Sequence, residues 1–291
     1  MNESYEFNDD KTLRSSLVLI KKCRATTFFG ITILLTWSCH CLLYLNANSL
    51  LPIYIPSKLI PVISMISGFG PSLVAILLTL ITEGKEGLIK LVKKVFIWRV
   101  NFYWYLFVLF SFAIIIILSL GIFSFISDES SVFKTLIKWQ LLLPYFLLNF
   151  FLGGPLGEEL GWRGYALPIL QKKYNALMSS IIIGIFWTLW HLPLFFSPES
   201  QLSATPIPLF FLFNTSSSIL FTWVYNNTNG SVLLCLLFHT SNNFFSAIFS
   251  VMPKSSGSSI PIYLITGLLM ITALAVIYKA GPAKLSRNKS F

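Results

Sequence analysis

The chain is a succession of apolar runs, each about as long as a helix that crosses a bilayer. About 20 predominantly apolar residues are needed for such a helix. Because lipid offers the backbone no hydrogen-bond partner, each run has to satisfy its own amide groups as a helix. The sequence therefore predicts an all-α, polytopic helical membrane protein with about eight transmembrane helices. The predicted spans are residues 27–46, 59–82, 102–126, 138–153, 176–196, 207–225, 231–252 and 260–279.

Composition supports a membrane protein over a soluble or nucleic-acid-binding one. Of the 291 residues, 55% are hydrophobic and 11% are charged, whereas soluble domains average roughly 25% charged residues. The net charge of +10 would suit a nucleic-acid ligand. The cations, however, lie in short loops and tails between apolar runs, a pattern that orients membrane proteins. We therefore expect the lipid bilayer, and no nucleic acid, as a partner.

The apolar runs predict one membrane domain, residues 27–279, between a polar N-terminal tail (1–26) and a basic C-terminal tail (280–291). The first run starts too late for a cleavable signal peptide, so the first span is expected to serve as the insertion signal. Eight spans place both termini on one side. If that side is the cytoplasm, 17 of the 21 Lys and Arg residues lie inside. This asymmetry predicts cytoplasmic termini.

Residues 83–101 combine five cations with apolar residues in a helical pattern. This composition predicts an amphipathic helix that lies in the membrane interface and turns its lysines toward lipid headgroups. A partner-binding role is the alternative interpretation. The five cations are Lys85, Lys90, Lys93, Lys94 and Arg99.

Charged side chains interrupt the apolar sequence within residues 153–168, GGPLGEELGWRGYALP. Each charge near the centre of a span costs ~2.5–3.5 kcal/mol on insertion scales, so such groups need internal partners. Glu159 and Arg163 are one helical turn apart and are expected to pair. Glu158 points ~100° away and is free to face a cavity. The glycines and Pro155 predict a break, with a new half-helix starting at the carboxylates. Alternatively, all three charged groups form a structural network.

Polar side chains on two further spans can complete a hydrolytic site with Glu158. His191 follows Trp187 by one turn, and His239 precedes Asn243 by one turn. A carboxylate or imidazole can take a proton from water, while another imidazole and an amide donate to an oxyanion. Each of these residues alone is more often a hydrogen-bonded core residue. Their combination with Glu158 favours catalysis.

Two other polar clusters favour structural roles. His40 lies between Cys39 and Cys41, but consecutive helical residues point in different directions and cannot share one metal ion. The Asn, Ser and Thr residues at 214–218 are expected to hydrogen-bond between helices. These residues do not firmly predict any cofactor.

Three stretches resemble the three motifs of the CPBP intramembrane protease family, which includes the CAAX prenyl endopeptidases and bacteriocin-processing or immunity (Abi) proteins. The first motif, E-E-x-x-x-R, corresponds to Glu158, Glu159 and Arg163, and the third, H-x-x-x-N, to His239 and Asn243. The second, F-x-x-x-H, corresponds to FWTLWHLP and ends at His191. There the family's Phe is replaced by Trp187. The motifs span about residues 140–245.

The resemblance implies an intramembrane endopeptidase that hydrolyses a peptide or membrane-protein substrate, in a bacterial plasma membrane. It implies that Glu158 and His191 activate water and that His239 and Asn243 hold the oxyanion. Glu159, Arg163 and Trp187 would support them. A dependence on a divalent metal such as zinc stays open, as do the substrate and the oligomeric state. The alternative is a non-catalytic protein of the same fold, acting as a bacteriocin-immunity factor or transporter accessory.

Overall fold

The computed structural model describes residues 20–52, 54–127, 138–249 and 251–286. Every regular element in these ranges is a helix. The predicted N-terminal tail falls largely on residues 1–19, which lie outside the described part, as do residues 128–137. Numbered in chain order, the helices are α1 (Arg24–Ala47), α2 (Ile60–Gly68), α3 (Gly70–Lys93), α4 (Phe102–Ser127), α5 (Leu142–Leu152), α6 (Pro155–Glu159), α7 (Leu167–Gln171), α8 (Ala176–Phe195), α9 (Ile207–Asn227), α10 (Val232–Ile248), α11 (Pro253–Ser256) and α12 (Ile260–Ala280).

The predicted spans correspond to the observed helices. Among the described residues, seven helical segments are long and apolar enough to cross a membrane. An eighth span results if Ser57–Gly68 and Gly70–Phe96, bent by 64° at Phe69, are counted together. The protein is thus an all-α, polytopic integral membrane protein, as predicted. The seven segments are Arg24–Ala47, Phe102–Ser127, Trp139–Gln171, Ala176–Phe195, Ile207–Asn227, Val232–Ser256 and Ile260–Ala280.

Two broken helices cross at close range, and this crossing positions the charged motif. The break between α2 and α3 falls in the sequence GFGP at residues 68–71. A Cβ atom at Gly157 would lie 2.7 Å from the Gly68 carbonyl oxygen, and one at Gly161 would lie 2.5 Å from the Pro71 carbonyl group. Side chains at these two positions would therefore separate the helices. Small residues four apart commonly permit such close contacts in membranes.

Most of the helix predicted at 83–101 is present. Within α3 the backbone is non-helical at Gly84, where φ is +66° and ψ is −163°, and this kink separates residues 85–93 from the preceding helical segment. Lys85 and Lys90 are exposed, as an interfacial position requires. Lys94 instead turns inward and donates to the carbonyl oxygen of Gly164 at 2.6 Å. The prediction that these lysines face headgroups is therefore wrong for Lys94, because a buried carbonyl group is within its reach.

The start of the predicted C-terminal tail is packed against the helices. The backbone amides of Ala176 and Leu177 donate to the carbonyl oxygens of Ala283 and Pro282, at 2.9 and 3.1 Å. The side chain of Asn226 donates to the carbonyl oxygen of Lys284 at 2.7 Å. Residues 281–286 thus satisfy polar groups at the first turn of α8 and the last turn of α9.

The polar clusters predicted to be structural have partners between helices. His40 Nε2 lies 2.9 Å from Ser67 Oγ, which joins α1 to α2. Asn214 donates to Thr188 Oγ1 at 3.3 Å, which joins α9 to α8. A Cβ atom at Gly184 would lie 2.7 Å from Thr215 Cα, so α8 and α9 are in close contact there. The hydrogen bonding predicted between helices for residues 214–218 is thus present at Asn214, whereas the side-chain oxygens of Thr215, Ser217 and Ser218 have no hydrogen-bond partner among the described residues.

Candidate active site

The helix break predicted before the carboxylates is present. Helix α5 ends at Leu152, and α6 begins at Pro155. Gly154 has φ +109°, a conformation that favours glycine. A Cβ atom there would also lie 2.8 Å from Glu158 Oε1. Both the backbone conformation and the space taken by the carboxylate therefore require glycine at residue 154.

A π-helical segment, Leu160–Ala166, follows the carboxylates, and all seven of its residues are buried. Single π-helical turns within α-helices are frequent at functional sites. Nothing in the sequence distinguishes this segment from a regular α-helix, and it was not predicted. It is stabilised in part by Lys94, whose ammonium group binds the carbonyl oxygen of Gly164.

The predicted pair of Glu159 and Arg163 forms, and a third group joins it. Arg163 Nη1 donates to both carboxylate oxygens of Glu159, at 2.9 and 3.0 Å, and both side chains are fully buried. His239 Nδ1 lies 2.8 Å from Glu159 Oε1. This contact joins α10 to the half-helix and was not predicted. Because a carboxylate only accepts, His239 donates from Nδ1.

Aromatic faces surround the rest of the Arg163 guanidinium group. Its Cζ atom lies 4.6 Å from the ring centroid of Trp187 and 4.1 Å from that of Phe221. Arg163 Nε and Nη2 have no hydrogen-bond partner among the described residues. The negative ring faces offset part of this deficit, because they attract a cation.

Glu158 points away from the ion pair, as its helical position predicts. It is 5% exposed, and its Oε2 accepts a hydrogen bond from Trp187 Nε1 at 2.6 Å. This hydrogen bond was not predicted. The Phe of the F-x-x-x-H motif, which Trp187 replaces, has no group that could donate it.

His191 is fixed by its own helix. Its Nδ1 lies 2.8 Å from the carbonyl oxygen of Trp187. A carbonyl oxygen only accepts, so the ring donates from Nδ1, and the lone pair of Nε2 is free in the neutral imidazole. Helix α8 ends four residues later, at Phe195. His191 is accordingly less buried than Trp187.

Three predicted site residues gather around the indole ring of Trp187, and the fourth lies at the helix break. The Trp187 ring centroid is 6.2 Å from that of His191 and 5.4 Å from that of His239. Asn243 Nδ2 is 3.5 Å from the carbonyl oxygen of Gly153, a weak contact with the helix break that precedes Glu158 by five residues. The three helical segments that carry the motifs therefore converge.

Part of the chain is similar to known proteins. Residues 139–245 match the family described as type II CAAX prenyl endopeptidase, Rce1-like. The CAAX prenyl protease 2 of Methanococcus maripaludis is 34% identical over 126 residues. Over these residues the chain is similar to CAAX prenyl proteases. The match covers 41% of this chain, which spans 44% of that relative's length.

The candidate site contains side chains of the types that bind metal ions. Carboxylate and imidazole groups are the types of ligand that zinc binds. Among the described residues, however, no three His, Cys, Asp or Glu side chains are grouped closely enough to hold one ion. Glu158, His191 and His239 therefore do not form a coordination set in this conformation, and no step below depends on a metal.

Proposed function

We propose that this chain is an intramembrane endopeptidase that hydrolyses a peptide bond in a membrane-associated protein or peptide. The observation that carries the proposal is the convergence of Glu158, His191 and His239 around Trp187, on three segments of a membrane protein. The match of residues 139–245 to the Rce1-like CAAX prenyl endopeptidase family and the similarity to a CAAX prenyl protease support it.

Glu158 and His191 would together activate a water molecule. Oε2 of Glu158 is engaged by Trp187, which leaves Oε1 to accept a proton from water. The free lone pair of His191 Nε2 can accept the second hydrogen of the same molecule. A water that donates to both groups turns a lone pair toward a substrate carbonyl carbon, and the carboxylate takes its proton as general base.

His239 and Asn243 would hold the oxyanion that forms when water attacks. Since Nδ1 of His239 donates to Glu159, a second donor at Nε2 exists only if the ring is an imidazolium. In the proposed role the ring therefore carries both protons, and Nε2 donates to the oxyanion. The amide of Asn243, one turn further along, provides the other donor.

A test of the third motif separates this donor role from metal binding. We expect His239→Ala to lower the cleavage rate by about 10²–10³-fold, because one oxyanion donor is lost. Wild type and variant, purified in detergent, would be assayed with a fluorogenic peptide library in lipid micelles, with and without chelator, and analysed for bound metal. His40→Ala is the matched control, because His40 binds Ser67 and no proposed site residue.

The two chemistries predict different outcomes in that experiment. If His239 is a donor, chelator leaves the wild-type rate unchanged and neither protein carries stoichiometric zinc. Stoichiometric zinc in the wild type, lost together with activity in His239→Ala, would overturn the donor role. His239 would then be a metal ligand held by Glu159, since a ligating imidazole commonly donates its other N–H to a carboxylate.

We also propose that both termini face the cytoplasm of a plasma membrane, on the basis of the 17 of 21 basic residues that this orientation places inside. In a cysteine-free background, Glu199→Cys is expected to react with a membrane-impermeant maleimide added to intact cells. Lys90→Cys should react only after the membrane is opened. Both positions are exposed, so the opposite labelling pattern would reverse the orientation.

A further inference from the structure

Trp187 contacts three of the four residues to which we assign roles in hydrolysis. Its indole Nε1 donates to Glu158 Oε2 at 2.6 Å, and its carbonyl oxygen binds His191 Nδ1 at 2.8 Å. Its ring meets that of His239 edge to face. We infer that Trp187 is a positioning residue that holds the Glu158 carboxylate in one orientation and in its ionised form. This inference rests on the proposed function and adds a role for a residue outside the reacting set.

The carboxylate of Glu158 is constrained from two sides. Oε2 is bound by the indole, while Oε1 lies 2.8 Å from the position that a Cβ atom of residue 154 would take. The two carboxylate oxygens therefore have different surroundings. Trp187 engages one of them, and the glycine at the helix break leaves room for the other, which is the oxygen that would meet the water.

The indole ring of Trp187, which carries the donor, is held in place by its neighbours. Trp187 is 3% exposed, and one face of its ring is covered by the Arg163 guanidinium group at 4.6 Å. The ring of Phe221 packs against it in a T-shaped arrangement, with centroids 5.8 Å apart. The indole N–H group thus stays directed at Glu158, without the freedom of a surface side chain.

The hydrogen bond from the indole favours the ionised form of Glu158. An indole N–H group donates and cannot accept, so it binds a carboxylate more strongly than a protonated carboxyl group. A donor to the charged form stabilises that form. The Phe of the F-x-x-x-H motif would fill a similar space without this effect. Trp187 therefore adds a donor to the general base of this chain.

The test is Trp187→Phe, which removes the donor and keeps an aromatic ring. We expect kcat to fall about tenfold, with KM nearly unchanged, because the base is affected more than substrate binding. The acidic limb of the pH profile of kcat should move up by about one pH unit. Trp162→Phe is the matched control, since Trp162 is fully buried and its Nε1 has no partner among the described residues. The acidic limb of the pH profile of Trp162→Phe should match that of the wild type.

A second variant and a second measurement keep the outcome decisive. Replacing Trp187 by 3-benzothienyl-alanine removes the N–H group without changing the ring shape, so it serves if Trp187→Phe folds poorly. Infrared difference spectra against Glu158→Gln report the protonation of Glu158 without any substrate. The carboxyl band of Glu158 should persist to a higher pH in either Trp187 variant than in the wild type. If the carboxyl band and the pH profile of the Trp187 variants match those of the wild type, the positioning role is overturned. If the carboxyl band shifts in the variants but the wild type cleaves no peptide, only the proposed function is rejected.

Discussion

Glu158→Gln is expected to abolish peptide cleavage while the protein folds normally. A glutamine cannot take a proton from water, and loss of a general base typically lowers the rate by about 10²–10⁴-fold. Its amide oxygen can still accept the hydrogen bond that Trp187 now donates to Glu158 Oε2. Shape and burial are conserved, so the yield and thermal unfolding of the purified protein should match the wild type.

The control for this substitution is Glu86→Gln, at an exposed position of α3. It removes the same charge far from any proposed site residue and should leave cleavage unchanged. If Glu158→Gln keeps a tenth or more of wild-type activity, Glu158 is not the base. If the wild type cleaves no peptide while Glu158→Gln folds normally, the result favours the non-catalytic immunity or accessory role.

Glu159→Gln should instead reduce the amount of folded protein. Glu159 and Arg163 are fully buried, and the bidentate Arg163 bond and the His239 bond both end on Glu159. Removing one partner of a buried pair typically costs about 3–5 kcal/mol, because the other charge stays buried without compensation. That is a large share of a typical unfolding free energy of about 5–15 kcal/mol. Purification yield and thermal unfolding in detergent would measure the loss.

Two further variants test the cause of this loss. Glu83→Gln removes the partner of Arg24 in a pair whose side chains are 22% and 40% exposed, so it should cost less than about 1 kcal/mol. In Glu159→Gln/Arg163→Met, both buried charges are absent, and stability should partly recover relative to Glu159→Gln. If Glu159→Gln and Glu158→Gln behave alike in stability and activity, the proposed division of roles between the two glutamates is wrong.

The sequence determined the membrane fold and the places where helices break. Each apolar run has the length of a span, and in lipid such a run can satisfy its backbone only as a helix. Gly153, Gly154 and Pro155 interrupt one run, and glycines with Pro71 interrupt another, so both breaks were predictable from local chemistry. The Glu159–Arg163 pair was equally local, because residues four apart share one face of a helix.

Only the tertiary structure decided which side chains meet between helices. The bond from His239 to Glu159 joins residues 80 apart in the chain, and that from Trp187 to Glu158 joins residues 29 apart. Each depends on how far the helices are rotated and shifted relative to one another. Helical periodicity states which face a residue occupies but not what lies opposite. That is set by packing, such as Gly161 against Pro71, and the same packing brings Lys94 within reach of Gly164.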